Sequence, residues 1–206
     1  MQFVMFDHIS PMKLSAFFVL LLSFFAAETK AIGRFAPGYF IDLNNDTCFV
    51  TIVVQVDIFA KNIIFRRMQD KIVYLDFENS KNELMPQQVK EYGFTYERTS
   101  YKYVVALVNW AFSDHTTKLL RVVQDGPCRI LCHEVADVSE YVFQKGNGEP
   151  YFIPQTDIGF ALRNKINRRK LTDYFADCPA LVAKLKSEFL DDEMNRIADF
   201  YNENCN

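Results

Sequence analysis

Alternation of apolar and polar residues with a period of two is the feature that most constrains this chain. In residues 47–57, "TCFVTIVVQVD", every even-numbered position is apolar, which gives an extended strand one continuous apolar face. The three residues before it, Asn44, Asn45 and Asp46, tolerate the conformations of a tight turn. Residues 38–57 therefore predict a β-hairpin.

The same kind of pattern continues to about residue 154. Residues 62–68 and 71–78 predict a second hairpin, with its turn at Gln69 and Asp70. Between Pro86, which suits a helix start, and Gly93, which suits a helix end, the sequence predicts a short helix. Further strands are expected at 94–98, 101–112, 118–124, 128–135, 140–145 and 150–154, with turns at 125–127 and 146–148.

Helical periodicity replaces this alternation after residue 158. Leu171, Tyr174 and Phe175 recur at the spacing of one helix face. Pro179 favours the first turn of a second helix, and a third helix is expected after a cap at Asp191. A run of strands followed by helices is typical of an α+β fold. We expect an N-terminal antiparallel β-meander of about eight or more strands with one short inserted helix, followed by a C-terminal helical segment.

The N-terminus has the order of segments found in a secretory signal peptide. Lys13 is followed by an apolar run over residues 16–25 and then by small residues. Cleavage is expected after Ala27 or Ala31, and Met12 is an alternative start. The apolar run is about half of the roughly 20 residues that span a bilayer, and a permanent N-terminal anchor is the alternative.

These signals divide the chain into three parts. Residues 1–31 are the expected signal peptide, residues 32–157 a β-rich body, and residues 158–206 the C-terminal helices packed on that body. At 206 residues without a convincing linker or repeat, the exported chain predicts a single domain. The expected location is periplasmic or outer-membrane-associated in a bacterium, and secreted otherwise.

Two cysteines mark the ends of the C-terminal helical hairpin. Cys178 directly precedes Pro179, and Cys205 is the last residue but one. Two short helices joined by a tight turn pack antiparallel, which brings the start of the first beside the end of the second. In an oxidising compartment we therefore expect a disulfide between Cys178 and Cys205. A catalytic Cys178 is the alternative, although the nearest histidine in the sequence is His133.

The stretch "CRILCHE" contains four residues that can bind metals, Cys128, Cys132, His133 and Glu134. Zinc sites need four ligands that converge. On one strand the two cysteines would lie roughly 13 Å apart, at about 3.3 Å per residue, and the histidine would point to the other face. We therefore interpret both cysteines as buried apolar side chains and expect no metal and no other cofactor.

Several short motifs occur in an order that is similar to a known group of exported proteins. They are "GYFIDLNNDT", "MPQQVKEYGF", "LLRVVQDGPCRILCHE" and "DYFADCPALVAKL", with "IADFYNENC" near the end. This order resembles an uncharacterised family of exported envelope proteins of Bacteroidota-type bacteria, with a Gly-Tyr-Ile…Asp-Thr hairpin and an Asp-Cys-Pro…Tyr-Asn…Cys C-terminus. The resemblance covers residues 38–205 and implies an envelope location, without catalytic residues to transfer. The chain departs from the family pattern at Asn45-Asp46, where Gly-Asp is usual.

Two groups of side chains are candidates for contact with a partner. Tyr96, Tyr101 and Tyr103 are expected on an exposed surface of the sheet. A basic stretch is expected to contact an acidic partner or anionic lipid headgroups, with a solvated helix face as the alternative. This basic stretch consists of Arg163, Lys165, Arg168, Arg169 and Lys170.

These features favour a binding function. A net charge of −3 argues against a protein that binds nucleic acid by neutralising phosphates. We expect an exported, non-enzymatic binding or accessory protein that contacts an unknown envelope protein. The alternative is an envelope hydrolase that uses acidic residues which the sequence does not identify.

Overall fold

The computed structural model describes residues 31–108, 116–135, 138–152, 168–187 and 194–205. Ten strands lie within them. They are β1 (Ala31–Asp42), β2 (Thr47–Asp57), β3 (Ile72–Leu75), β4 (Lys81–Leu84), β5 (Val89–Tyr96), β6 (Thr99–Val108), β7 (Thr116–Gln124), β8 (Cys128–Val135), β9 (Val138–Lys145) and β10 (Tyr151–Phe152). The described helices are α1 (168–174), α2 (Pro179–Ser187) and α3 (Met194–Asn204).

The strands form one antiparallel sheet in the order β10-β9-β8-β7-β6-β5-β1-β2-β3-β4. Strands β1–β4 make one meander and β5–β10 make a second. The two meanders join where β5 pairs with β1, for example at Phe40 opposite Tyr92. A large antiparallel sheet followed by a C-terminal helical segment confirms the predicted α+β class.

The first predicted hairpin is present as β1 and β2. Its turn holds Asn45 at a φ of 72°, a left-handed conformation that asparagine tolerates. The Asp42 carboxylate fixes this turn, because its Oδ1 accepts hydrogen bonds from the backbone N–H groups of Asn44 (2.8 Å) and Asp46 (2.9 Å). The even-numbered side chains of β2 point into the core, and Ile52 and Val54 are fully buried.

The second predicted hairpin was placed wrongly. Residues 62–68 form no strand; Ile63 makes a single bridge to Val56, and the segment Phe65–Met68 is a 3-10 turn. The Ile64 N–H donates to the Gln55 carbonyl at 2.8 Å beside this bridge, and the 3-10 turn then ends the extended conformation. β3 pairs with β4 instead of with the stretch before it.

The short inserted helix is a single 3-10 turn over Pro86–Gln88. From Val89 onward this stretch is strand β5, so the expectation that Gly93 ends a helix was wrong. Gly93 lies directly opposite Tyr39 on β1. A Cβ at this position would come within 2.8 Å of the Tyr39 ring, so the glycine makes room for an aromatic side chain.

The inner face of the sheet carries the main core. It is the face of Ile52, Tyr92 and Tyr103, which are all fully buried. The rings of Tyr92 and Tyr103 stack with centroids 4.6 Å apart, and Phe94 stacks on Tyr101 at 5.2 Å. This aromatic ladder crosses β5 and β6 and continues onto β1, β2 and β3 through Phe40 and its neighbours.

The connection between β2 and β3 closes the inner face. The side-chain amide of buried Gln69 donates to the Cys132 carbonyl (3.0 Å), and its Oε1 accepts from the Glu134 N–H (3.1 Å). The Gln69 carbonyl accepts from the Leu119 N–H at 3.1 Å. Gln69 therefore joins the connection to both β7 and β8.

The helices pack on the inner face at β8 and β9. Leu171, Phe175 and Leu181 are fully buried there, and the Phe175 ring meets Phe143 of β9 edge-on at 5.3 Å. Asn202 of α3 holds the start of β8, because its amide accepts from the Cys128 N–H (2.6 Å) and donates to the Cys128 carbonyl (3.0 Å). The helical stripes expected from the sequence therefore face the sheet.

The opposite, outer face differs between the two halves of the sheet. Over β6 to β9 its apolar side chains are buried, with Leu120, Leu131 and Val142 fully inaccessible. Over β1 and β2 large side chains of the same face are exposed, among them Phe35 and Phe49. No helix within the described residues is both long and apolar enough to span a bilayer.

Candidate functional site

The outer face of the β1–β2 hairpin carries exposed aromatic side chains. Phe35 is 66% exposed and Phe49 is 84% exposed. Phe35 stands opposite Val53, and Tyr39 stands opposite Phe49, so the four side chains lie on one face of two neighbouring strands. We call Phe35, Tyr39, Phe49 and Val53 the outer aromatic face.

Tyr39 is the fixed part of this face. Its ring lies over Gly93, and its hydroxyl donates a hydrogen bond to Glu91 Oε1 at 2.6 Å. Burial, the hydrogen bond to Glu91 and the charge of Glu91 together raise the pKa of Tyr39 well above its ordinary value. The hydroxyl therefore stays protonated and the ring keeps one orientation.

A charged rim borders the outer aromatic face. The Lys102 ammonium lies 3.2 Å from Glu91 Oε2 and 3.0 Å from Asp125 Oδ2. Hydrogen bonds from Lys102 and the Gly126 N–H outweigh the effect of burial and lower the pKa of Asp125. Exposed aromatic side chains beside a polar rim are the arrangement found in protein–protein interfaces.

The polar groups of the inner face form a closed cluster. The Arg121 guanidinium lies over the Phe65 ring at 4.4 Å, and its Nη2 is 2.9 Å from Glu134 Oε1. Ser139 donates to Glu134 Oε2 at 2.6 Å, and the Cys132 thiol donates to Glu134 Oε1 at 3.1 Å. Every partner of Glu134 is thus a neighbouring side chain or backbone group, which suits a structural role.

The two cysteines of β8 are buried thiols, as interpreted from the sequence. Burial raises the pKa of Cys128 to about 12 and that of Cys132 to about 12. Neither is a nucleophile at neutral pH, because the thiolate is the reactive form. Within the described residues, no group of three or more His, Cys, Asp or Glu side chains is placed to hold a metal ion.

The three tyrosines that were expected to be exposed do not form an exposed surface. Tyr103 is fully buried in the aromatic ladder, and Tyr96 and Tyr101 are half-buried against the same core. The expectation of exposure was wrong for Tyr103, because its position falls on the inner face. Strand alternation shows which side chains share a face but not which face is covered.

The basic stretch is only partly described. Arg163 and Lys165 lie outside the described residues. Arg169 and Lys170 are exposed at the start of α1, and Arg168 Nη1 lies 3.4 Å from the Lys186 carbonyl. Contact of this stretch with a partner or lipid stays a prediction.

Cys178 and Cys205 lie at disulfide distance, with their Cα atoms 5.4 Å apart. Cys178 directly precedes α2 and Cys205 directly follows α3, as the sequence predicted. Beside them, the Asp177 carboxylate accepts hydrogen bonds from Lys145 (2.8 Å) and from the Tyr201 hydroxyl (2.7 Å). The Cys178–Cys205 pair therefore holds the start of α2 and the end of α3 together where both helices meet the sheet.

Sequence reasoning missed the outer aromatic face, although one signal for it was present. In β1 and β2 the odd-numbered positions include Phe35, Tyr39 and Phe49, so both faces of the hairpin carry large apolar side chains.

No protein-family model, no curated protein and no solved structure matches this chain.

Proposed function

We propose that the protein is an exported, non-enzymatic binding or accessory protein of the cell envelope, and that it docks a partner protein on the outer aromatic face. The observation that carries this proposal is the exposure of Phe35 (66%) and Phe49 (84%) on one face of a hairpin whose other face is core. Exposed aromatic side chains on a rigid strand pair are costly to hydrate and favour a partner.

The chemistry of the face indicates the kind of partner. Phe35 and Phe49 offer apolar contact, while the rim offers the carboxylates of Glu91 and Asp125 on either side of the Lys102 ammonium. A protein surface with an apolar centre and a polar border would satisfy both. The central side chains would supply most of the binding free energy and the rim would supply specificity.

Location and family are parts of the same proposal. The basic and apolar segments at the N-terminus favour export, and a cysteine pair at disulfide distance is compatible with an oxidising compartment. Membership of the Bacteroidota-type envelope family rests on the short motifs of the sequence, above all the Asp-Cys-Pro ending.

The hydrolase alternative needs carboxylates that converge on a substrate. In the described cleft at the end of β2, the carboxylates are those of Asp57 and Glu97. Asp57 Oδ1 already accepts hydrogen bonds from the Phe59 and Ala60 N–H groups, so it serves the turn. We therefore propose the binding function first.

The test is capture of envelope proteins with the tagged exported chain, compared with the F35S/F49S double variant. We expect a specific partner to bind the unmodified protein, and the double variant to lose at least about tenfold in affinity because two central apolar contacts are removed. The F59S variant is the matched control, since Phe59 is 86% exposed but lies on the turn beyond β2.

Circular dichroism and thermal unfolding would establish that each variant is folded. A partner that binds the double variant as tightly as the unmodified protein would refute the assignment of the outer aromatic face. Capture of no partner by the unmodified protein would refute the binding function itself.

A further inference from the structure

A second surface lies at one end of the sheet, where the start of β1 meets the end of β2 and the β5–β6 hairpin. A cleft of about 360 Å³ opens there, lined by Arg34, Lys61, Tyr96 and Glu97 among others. It lies at the far end of β2 from Phe49, and neither Phe35 nor Phe49 lines it. This end is therefore distinct from the outer aromatic face.

Positive charge gathers at this end of an otherwise acidic protein. Arg34 and Lys61 line the cleft, and Arg98 follows Glu97 at the tip of the β5–β6 hairpin. All three side chains are exposed, and none of them is in an ion pair within 4.0 Å among the described residues.

The acids at this end cancel most, but not all, of that charge. Asp57 and Glu97 line the cleft, so Arg34, Lys61 and Arg98 leave one positive charge in excess here, whereas the whole chain has a net charge of −3. The Asp57 carboxylate accepts hydrogen bonds from the turn, at 2.8 Å from the Phe59 nitrogen and 2.7 Å from the Ala60 nitrogen. A net positive end on a net negative protein orients it toward an anionic surface.

Exposed apolar side chains lie beside these cations. Phe59 is 86% exposed in the turn that carries Lys61, and Ile32 is 40% exposed at the cleft. An aromatic side chain that projects from a turn beside lysine and arginine is the combination that binds membrane interfaces. We call Arg34, Phe59, Lys61 and Arg98 the basic end.

Three charged residues at this end have backbone conformations that cost free energy. Lys61, Glu97 and Arg98 have φ values of 57°, 48° and 68°, in the left-handed region that residues with a Cβ avoid. The hairpin tip and the turn after β2 are therefore tight and present their side chains on short, defined loops.

The course of the chain places the basic end next to the N-terminal segment. β1 begins at Ala31, and its first residue pairs with Asp57 at the end of β2. The residues that precede Ala31 in the sequence therefore join the described part of the chain at this end.

We propose that the basic end docks the protein on an anionic lipid surface, with the arginines and Lys61 against headgroup phosphates and Phe59 in the interface. Each cation near such a surface contributes to binding, and the apolar side chain adds a contribution that salt does not screen. This contact is separate from the partner site on the outer aromatic face, so either assignment can fail alone.

The test is co-sedimentation of the exported protein with vesicles of phosphatidylglycerol and phosphatidylcholine in equal parts, against vesicles of phosphatidylcholine alone. We expect binding to the anionic vesicles only, and weaker binding as salt is raised. The K61E/R98E variant should lose at least about 30-fold in affinity, since each cation contributes about fivefold and both are reversed, not only removed.

Two matched controls separate this site from the others. The R169E/K170E variant makes the same charge change in the basic stretch and should bind like the unmodified protein. F59S should weaken vesicle binding, whereas F49S, at an equally exposed phenylalanine, should not.

Equal binding to both kinds of vesicle, or equal binding by K61E/R98E and the unmodified protein, would overturn the proposal. Loss of binding in R169E/K170E alone would move the lipid contact to α1. If the reversed variant does not fold, the salt dependence of the unmodified protein and the F59S result decide the question.

Discussion

The two halves of the sheet use the same outer face in opposite ways. Over β6 to β9 this face buries Leu120, Leu131 and Val142 completely, while over β1 and β2 it leaves Phe35 and Phe49 exposed. Both halves follow the same alternation, so the difference is in what each face contacts. A buried apolar side chain contributes to folding, whereas an exposed one on a rigid strand is available for a partner.

The inner face shows a matching difference. Over β1 to β6 it is held by stacked aromatic rings, such as Tyr92 on Tyr103 at 4.6 Å. Over β8 and β9 it is held by helices whose ends are joined by the Cys178–Cys205 pair. The half with the cysteine pair is the half whose outer face is buried, and the half without it carries the outer aromatic face.

Removal of the cysteine pair would have the largest effect on this contrast. The pair closes a loop with a sequence separation of 27, which on the chain-entropy model stabilises the protein by about 3–4 kcal/mol. We expect the C178S/C205S variant to lose that amount in urea unfolding, and added reductant to have no further effect on it. An unchanged midpoint would mean that packing alone holds the helices.

The second largest effect on stability is expected from truncating a side chain on the buried part of the outer face, over β6 to β9. L131A should cost about 3 kcal/mol in urea unfolding, because it removes a fully buried side chain from a packed cluster. A cost below about 0.5 kcal/mol would show that this half of the face is as open in solution as the other, and the comparison would fail.

Acidification should have a smaller effect on stability, and it should act on the half of the sheet that contains β8. Burial tends to raise the pKa of Glu134, but hydrogen bonds from Ser139 and Arg121 outweigh it and lower the pKa below its ordinary value. A carboxyl with a lowered folded-state pKa stabilises the protein above the unfolded-state pKa of about 4.3, and this contribution is lost as the pH falls through the folded-state value.

E134Q should therefore be less stable than the unmodified protein by about 2 kcal/mol at neutral pH, with the difference shrinking below about pH 4. Urea unfolding at a series of pH values measures it. E203Q, at an exposed position of α3, is the control. A difference that does not change with pH would contradict the role of the Glu134 charge.

The smallest effect on stability is expected at the exposed aromatic side chains. F49S should change the free energy of unfolding by less than about 0.5 kcal/mol, because Phe49 is already 84% exposed. The same substitution should weaken partner binding, so stability and binding respond to different halves of the face. A large loss of stability would show that Phe49 is part of the core.

Local patterns in the sequence predicted the strands well where alternation and turn residues agreed. The β1–β2 hairpin, the turn at Gly126 and the hairpin turn at Gly146 are all present. The start of α2 at Pro179 and the pairing of Cys178 with Cys205 also followed from local rules.

The errors came from contacts that are distant in sequence. Residues 62–68 read as a strand, yet they form one bridge and a 3-10 turn, because Phe65 and Met68 of this segment pack against the inner-face core. Gly93 read as a helix end, yet it lies under Tyr39 from another strand. Large apolar side chains on both faces of the β1–β2 hairpin were a signal for the outer aromatic face, but alternation does not say which face is covered.

Gln69 has a consequence for the order in which the chain folds. Its hydrogen bonds to Cys132 and Glu134 span 63 and 65 residues of sequence. The β1–β2 hairpin needs only its own residues and can form as soon as they emerge, but Gln69 must wait for β8 before its amide is satisfied. Non-local pairing of this kind slows folding, because the intervening chain must be ordered first. The hairpin, with Phe35 and Phe49 exposed on its outer side, can therefore form well before the sheet closes.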